Sequence, residues 1–281
     1  MTDLPDIQKT KDHRGIFIDR VGVEGIDFPL LISKKDKQKF LVYATVDLFT
    51  SLHKAVRGTN MSRFVEILMD WRYKVFTISA FESFLQDLRS RMGGEEVKDV
   101  YAKMSFKLFL PKSSPVTERL SVMSYKCAYI GVLRSNRTQV QLQVVVPTTS
   151  NCPCSKEISD YGAHGQRSIS VVTVQPLKEV RRVWFEDLIL LVESCGSAPI
   201  YPLLKRPDEK YVTELAYNNP KFVEDIARDI AKKLQELGTL RSFKIKVCNE
   251  ESIHTHNAVC YIARRLRGSR WENDPRAFKT S

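Results

Sequence analysis

The sequence predicts an α+β fold, with antiparallel sheets and helices packed on one face, from three observations. Segments with apolar residues at every second position mark strands. Blocks of helical period with start and stop signals mark helices, and both halves run strands, then helices, then strands. A short echo links the halves: Ser62-Arg63-Phe64-Val65-Glu66 opens one helical block, and Pro220-Lys221-Phe222-Val223-Glu224 opens another.

The first strand is expected at 39–49, followed by helices at 62–73 and 79–92. The spacing Ser79-x-x-Glu82 reads as a capping box, and Gly93-Gly94 as the stop. Strands follow at 104–110, 120–132, 138–144 and 168–174. Residues 220–237 carry the clearest helical signature, with Asn219 as cap and Pro220 at the first helical position. Val223, Ile226, Ala227, Ile230 and Leu234 form its apolar stripe, Gly238 ends it, and a strand at 243–247 follows.

With 281 residues, 43% of them hydrophobic, the chain can bury a sizeable core in one large or two medium domains. No apolar run approaches the ~20 residues of a membrane span, and Met1-Thr2-Asp3-Leu4-Pro5 lacks a signal-peptide core, so a soluble cytoplasmic protein is expected. The six cysteines are scattered, which fits a reducing compartment, and Cys127, Cys195, Cys248 and Cys260 read as packing residues. The net charge of +11 calls for an acidic partner or a solvation explanation. Arg264, Arg265, Arg267, Arg270, Arg276 and Lys279 concentrate it near the end, read here as a solvated tail. No aromatic-interleaved basic motif of an RNA or DNA module is present, so a polyphosphate substrate accounts for the charge better than nucleic acid does.

Chemistry concentrates in two short segments. Cys152-Pro153-Cys154 precedes His164, and Glu251 precedes His254 and His256, so three of the five histidines and two of the six cysteines fall here. Thiolate, imidazole and carboxylate are the ligand set of Zn²⁺, Fe²⁺ or Mn²⁺. One-residue spacings do not form the paired knuckles of a structural zinc, so one Cys, one His and one carboxylate with an open position are expected. The order of Cys152 and Cys154 as ligand stays open. His254 and His256, on one face if extended, are acid–base candidates, and Glu251 could orient one of them or be a solvated turn carboxylate.

Several stretches together resemble the type IB GTP cyclohydrolase I family. They are Gly58-Thr59-Asn60-Met61-Ser62-Arg63-Phe64, residues 152–159, Gly162-Ala163-His164-Gly165-Gln166-Arg167-Ser168, residues 205–214, residues 220–225, and Glu251-Ser252-Ile253-His254-Thr255-His256. Gly165 and Asn257 depart from it, standing where Asn and Asp are more usual. The resemblance implies two tandem tunnelling-fold (T-fold) units, here 1–150 and 151–281, the second carrying most of the site, assembled as a homotetramer. It also implies conversion of GTP and water to 7,8-dihydroneopterin triphosphate and formate, at the head of tetrahydrofolate biosynthesis or of queuosine-type base synthesis. Such ring opening requires an activated water, and a bound divalent metal lowers the pKa of water from ~15.7 to about 7.

By the same resemblance Cys152, His164 and Glu209 are metal ligands, and Cys152, Glu251, His254 and His256 belong to the catalytic group. Glu224 recognises guanine, and Arg63, Arg167, Lys205 and Arg206 are triphosphate candidates, Arg forks matching phosphate oxygens. Two other readings compete. A nitrile reductase of the same fold would use a Cys nucleophile and NADPH, leaving the histidines near the end unexplained. A basic nucleic-acid-binding protein with structural zinc would leave the 205–214 block unexplained.

Overall fold

Alternation of side chains across an extended backbone builds the sheet of this chain, as seen in a computed structural model that describes residues 7–93, 97–135, 137–180, 183–274 and 277–278. Gly94, Arg276 and Lys279 lie outside the described residues, as does the segment Met1-Thr2-Asp3-Leu4-Pro5. The strands and helices are β1 (Ile18–Ser33), β2 (Lys39–Leu52), α1 (Met61–Asp70), α2 (Ile78–Met92), β3 (Asp99–Ser113), β4 (Leu120–Arg134), β5 (Arg137–Asn151), α3 (Pro153–Ile158), β6 (Gly165–Pro176), α4 (Phe185–Glu193), β7 (Ala198–Pro199), α5 (Arg206–Asn218), α6 (Val223–Glu236), β8 (Leu240–Glu250), β9 (Ala258–Arg267) and β10 (Arg270–Asn273). The strand order is β1-β2-β3-β4-β5-β6-β8-β9-β10, with β7 added on β5. The class is therefore α+β, as the alternating and helical segments predict.

Two compact units divide the chain, one of residues 1–106 and 128–141, the other of residues 107–127 and 142–281. In the first, Val42, Ala44, Val46 and Leu48 on one face of β2 are buried, as are Phe64, Ile67 and Leu68 of α1 and Phe81, Phe84 and Leu88 of α2. Trp71 meets Phe84 edge to face with centroids 5.4 Å apart. A Cβ at Gly131 would stand 2.5 Å from Leu85 and 2.6 Å from Phe81, so a side chain here would force these α2 residues to shift against β4.

β1 escapes the alternation rule for a physical reason. It ends the strand order, register shifts interrupt its pairing with β2 between Ile18 and Val21 and between Val23 and Ile26, and it contains Pro29. Gly25 adopts φ 73° within the second irregularity, where its N–H donates to Asp47 Oδ1 at 2.9 Å.

The start of α2 is also shifted from the expected capping box. Thr77 is the cap, its Oγ1 accepting from the Ala80 N–H at 3.2 Å. Gly93 ends the helix at φ 146°, as anticipated for a glycine stop.

In the second unit, Phe243, Ile245 and Val247 of β8 and Val172 and Val174 of β6 are buried with Leu188, Ile189 and Val192 of α4. The stripe Val223, Ile226, Ala227, Ile230 and Leu234 of α6 is wholly buried, as its period requires, and Gly238 follows at φ 64°. The helix begins three residues later than Pro220, with Phe222 as cap and its N–H donating to Asp225 Oδ2 at 3.0 Å. The echo residues consequently occupy unlike environments: Phe64 is fully buried inside α1, whereas Phe222 is 39% exposed before α6.

The basic end is not a loose tail over its described part. Arg264, Arg265 and Arg267 lie on β9, which pairs with both β8 and β10, and Arg265 and Arg267 bridge Asp274 and Glu272, each at 3.2 Å. All six cysteines are free; Cys127 and Cys195 are buried and Cys248 and Cys260 half-buried. No helix among the described residues is long and apolar enough to cross a membrane.

Candidate active site

The end of the β5–β6 ladder gathers the first cluster. Asn151 and Gly165 are its last partners, after which the Cys152 N–H donates to the His164 carbonyl at 3.1 Å. Cys152 then caps α3, where its Sγ accepts from the Ser155 N–H at 3.5 Å and Pro153 opens the helix. Ser155 closes the corner: its Oγ donates to the Cys152 carbonyl at 3.1 Å and accepts from the His164 N–H at 3.2 Å. Cys152 and His164, twelve positions apart in sequence, are thus held on adjoining backbone. Cys154 is on the exposed side of α3. At Gly165 a Cβ would stand 2.8 Å from Asn151 Oδ1, an approach that a turn of the Asn151 side chain would relieve.

The His164 ring is held from β6, which it leads into, and from the β8–β9 loop. Its Nδ1 lies 2.9 Å from Gln166 Oε1 and 3.3 Å from Ser252 Oγ. Gln166 Nε2 in turn donates to Glu251 Oε1 at 3.4 Å. Glu251 therefore reaches the His164 side of the site through Gln166, and among the described contacts it makes no hydrogen bond to His254 or His256. Those two histidines stand in the β8–β9 loop and not on a strand, yet their rings stack nearly parallel, 5.2 Å apart at 15°. Both are exposed, so both are reachable by a ligand.

The 205–214 block forms the start of α5. Asp208, fully buried, accepts from the N–H groups of Val116 (2.9 Å), Thr117 (2.8 Å) and Lys205 (2.9 Å) and from Thr117 Oγ1 (2.6 Å). Burial pushes its carboxyl up, but these hydrogen bonds outweigh that and hold it well below the usual carboxylate range. The tie pins the helix start to the β3–β4 turn and presents Lys205, Arg206 and Glu209, all exposed, on the first turn. Glu224 is exposed on the first turn of α6, close enough to β9 that its charge adds to burial in raising the Cys260 thiol. Arg167 is exposed on β6, paired across the ladders with Thr149 and Glu250.

Arg63 belongs to the other unit. It donates through Nη1 to the Arg91 carbonyl at 3.2 Å and lines a cavity of about 190 Å³ with Ser51, His53, Thr59 and Asn60.

Cys152 and His164 come together, and Glu251 joins their surroundings. Among the described residues, however, no group of three His, Cys, Asp or Glu side chains is close enough to hold a metal, so Glu209 is not gathered with them into a preformed triad. The donor chemistry still fits a borderline divalent cation: a partly accessible thiol and, joined to it through a backbone hydrogen bond, an imidazole whose Nδ1 is engaged and whose Nε2 is free of any described hydrogen bond. Gln166, Ser155 and Asp208 were not singled out by sequence reasoning. Only Gln166 carried a usable signal, since it stands two residues after His164, the spacing at which extended side chains share a face.

Fold and site together define a tunnelling-fold protein with a thiol–imidazole corner and a histidine pair at one end of its second unit. The fold is matched by the crystal structure of a hyper-thermostable AgUricase mutant, with a TM-score of 0.54 and 8% identity over 92% of this chain and 94% of that one. The profile of the type I GTP cyclohydrolase folE2 family matches residues 4–260, and the chain belongs to that family. GTP cyclohydrolase FolE2 of Geobacter metallireducens is 42% identical over 264 residues, covering 94% of this chain and 98% of the relative. GTP cyclohydrolase FolE2 of Syntrophus aciditrophicus is 42% identical over 257 residues, covering 92% and 98%.

Proposed function

We propose that the chain is a GTP cyclohydrolase that opens the guanine imidazole ring of GTP at C8 and yields 7,8-dihydroneopterin triphosphate and formate, the entry step to tetrahydrofolate. Family membership across nearly the whole chain supports the activity. The observation that carries the chemistry is the corner at which Cys152 and His164 share backbone hydrogen bonds, with the stacked His254 and His256 exposed on the β8–β9 loop.

Cys152, His164 and Glu209 would hold one divalent transition metal, Zn²⁺, Mn²⁺ or Fe²⁺, with Glu209 brought by α5. When bound, the ion would supply a water of lowered pKa as the nucleophile at neutral pH. The remaining work belongs to the chain. His254 and His256 carry protons during ring opening, formate loss and reclosure, at ring nitrogens that solvent can reach. The carboxylate of Glu224 accepts from the N–H groups along the guanine edge. Lys205 and Arg206 at the start of α5, with Arg167 and Arg63, take the triphosphate, where guanidinium forks and the positive helix end both favour anionic oxygens.

The enzyme is proposed to be a cytoplasmic homotetramer. Its free cysteines suit a reducing compartment, and the strand order ends at β1, whose outer side is bridged at Ile32 by Phe76, and at β10, edges that an assembly could cover.

The test is turnover of GTP by metal-stripped protein with Mn²⁺, Zn²⁺ or Fe²⁺ restored, following formate and the fluorescence of the oxidised pterin. Metal-dependent release of both establishes the reaction and ranks the ions. Folded protein that releases no formate with any of the three overturns it.

A further inference from the structure

His164 has two ring nitrogens, and only one can face a cation while carrying a lone pair. Which one is decided by the neighbours of the ring. Gln166 lies between two of them, with Oε1 2.9 Å from His164 Nδ1 and Nε2 3.4 Å from Glu251 Oε1. An amide seen alone can be turned either way. Here the carboxylate of Glu251 can only accept, so the NH₂ end must face it and the oxygen end must face the ring. That oxygen in turn can only accept, which puts the ring proton on Nδ1. Ser252 Oγ, 3.3 Å from the same nitrogen, is compatible with this as a second acceptor. The backbone of His164 is held independently: its N–H donates to Ser155 Oγ and its carbonyl accepts from the Cys152 N–H.

We infer that Gln166 is a positioning residue, which with Glu251 behind it holds His164 in the Nδ1–H tautomer and leaves the Nε2 lone pair free of any described hydrogen bond. The inference rests on the metal reading above for its purpose, though not for its geometry. It also gives Glu251 a different task from orienting His254 or His256: the carboxylate fixes the amide, and the amide fixes the ring. Hydrogen-bonded partners behind a ligating imidazole set its orientation and basicity, and their loss commonly costs 10–100-fold in metal affinity.

The experiment reads the tautomer directly in metal-free protein, from long-range ¹H–¹⁵N correlations of the histidine rings about two pH units above the ordinary imidazole pKa of ~6.5. His164 is assigned by its disappearance in His164→Gln. Wild-type protein should show the Nδ1–H form, and Gln166→Leu should move His164 toward the Nε2–H form that a solvated neutral imidazole prefers. Zn²⁺ and Mn²⁺ affinities, measured by competition with a chelator, should fall in Gln166→Leu by roughly 10–100-fold. The exchanged pair Gln166→Glu with Glu251→Gln keeps an acceptor facing the ring and one hydrogen bond between the two side chains, now donated from position 251, and should recover both the tautomer and the affinity. An Nε2–H ring in wild-type protein, or a tautomer unmoved by Gln166→Leu, overturns the proposal. A wild-type Nδ1–H ring that shifts in Gln166→Leu, in protein that takes up neither Zn²⁺ nor Mn²⁺, overturns the metal reading while establishing the hold of Gln166 on the ring.

Discussion

His164 and the pair His254 and His256 are separated by the work their surroundings allow. His164 is half-buried, tied at its backbone and at Nδ1, whereas the paired rings stand in solvent on a loop. His164→Ala should therefore lose bound metal and turnover together. His254→Ala and His256→Ala should each keep the metal, and at least one should lose about 10²–10⁴-fold in kcat. Metal analysis of purified variants beside single-turnover rates checks this, and two histidine variants with normal turnover would refute the acid–base assignment. These residues were legible because Cys and His are scarce and their clustering stands out. Asp208 was not, because in Lys205-Arg206-Pro207-Asp208-Glu209-Lys210 every charge looks equally solvated, and only the fold shows that one carboxylate is buried among four donors. A carboxyl whose folded pKa is depressed contributes stability that is fully present above the unfolded value of ~3.9 and is lost as pH falls from there toward the lower folded value. Asp208→Asn should thus be less stable near neutrality and show a flatter loss of stability below about pH 4. Urea titrations at stepped pH measure both, and parallel pH slopes for the two proteins would refute the linkage.

At the scale of elements, strands with one clean buried face were readable and the others were not. β2 and β8 alternate, as does the stripe of α6, but β1 is broken by bulges and Pro29, and the arginines of β9 obscure its pattern. α4 and α5 were missed as well, the first being apolar on nearly every side and the second dense in charge. A network joining β3, β4 and α4 shows what pattern reading cannot supply. Lys112 Nζ meets Glu193 Oε1 at 2.5 Å, with side-chain exposures of 12% and 8%, and Tyr125 donates to the same oxygen at 2.6 Å. Burial, followed by this bond to a carboxylate, pushes the Tyr125 phenol far above its ordinary pKa, so it remains a donor throughout the working range. Lys112→Met leaves the Glu193 charge buried with one donor fewer and should cost about 3–5 kcal/mol. Lys112→Met with Glu193→Gln removes the orphaned charge and should recover most of that. Chemical denaturation of the two variants decides between a charge effect and simple loss of packing, which the double variant would not repair.

For the molecule as a whole, the net charge of +11 is a long-range property that no single contact explains. Part of the basic end is spent locally, because Arg265 and Arg267 are bridged on β9 and β10. Lys205, Arg206 and Arg167 instead lie exposed on the elements that carry the site. A triphosphate approaching such a surface is drawn by a field that ions in solution screen over about 10 Å at 0.1 M salt. Once GTP is seated, proton transfers at the histidines occur over bonding distances that salt barely reaches. Rising ionic strength should accordingly lower kcat/KM by on the order of tenfold while changing kcat little. Lys205→Ala with Arg206→Ala should raise KM and weaken that salt dependence if these two side chains meet the triphosphate. Steady-state kinetics at several potassium chloride concentrations gives both slopes. A kcat that falls in step with kcat/KM would mean that salt acts on the assembly or on the chemical step, and the positive surface would then have to be explained by something other than the capture of GTP.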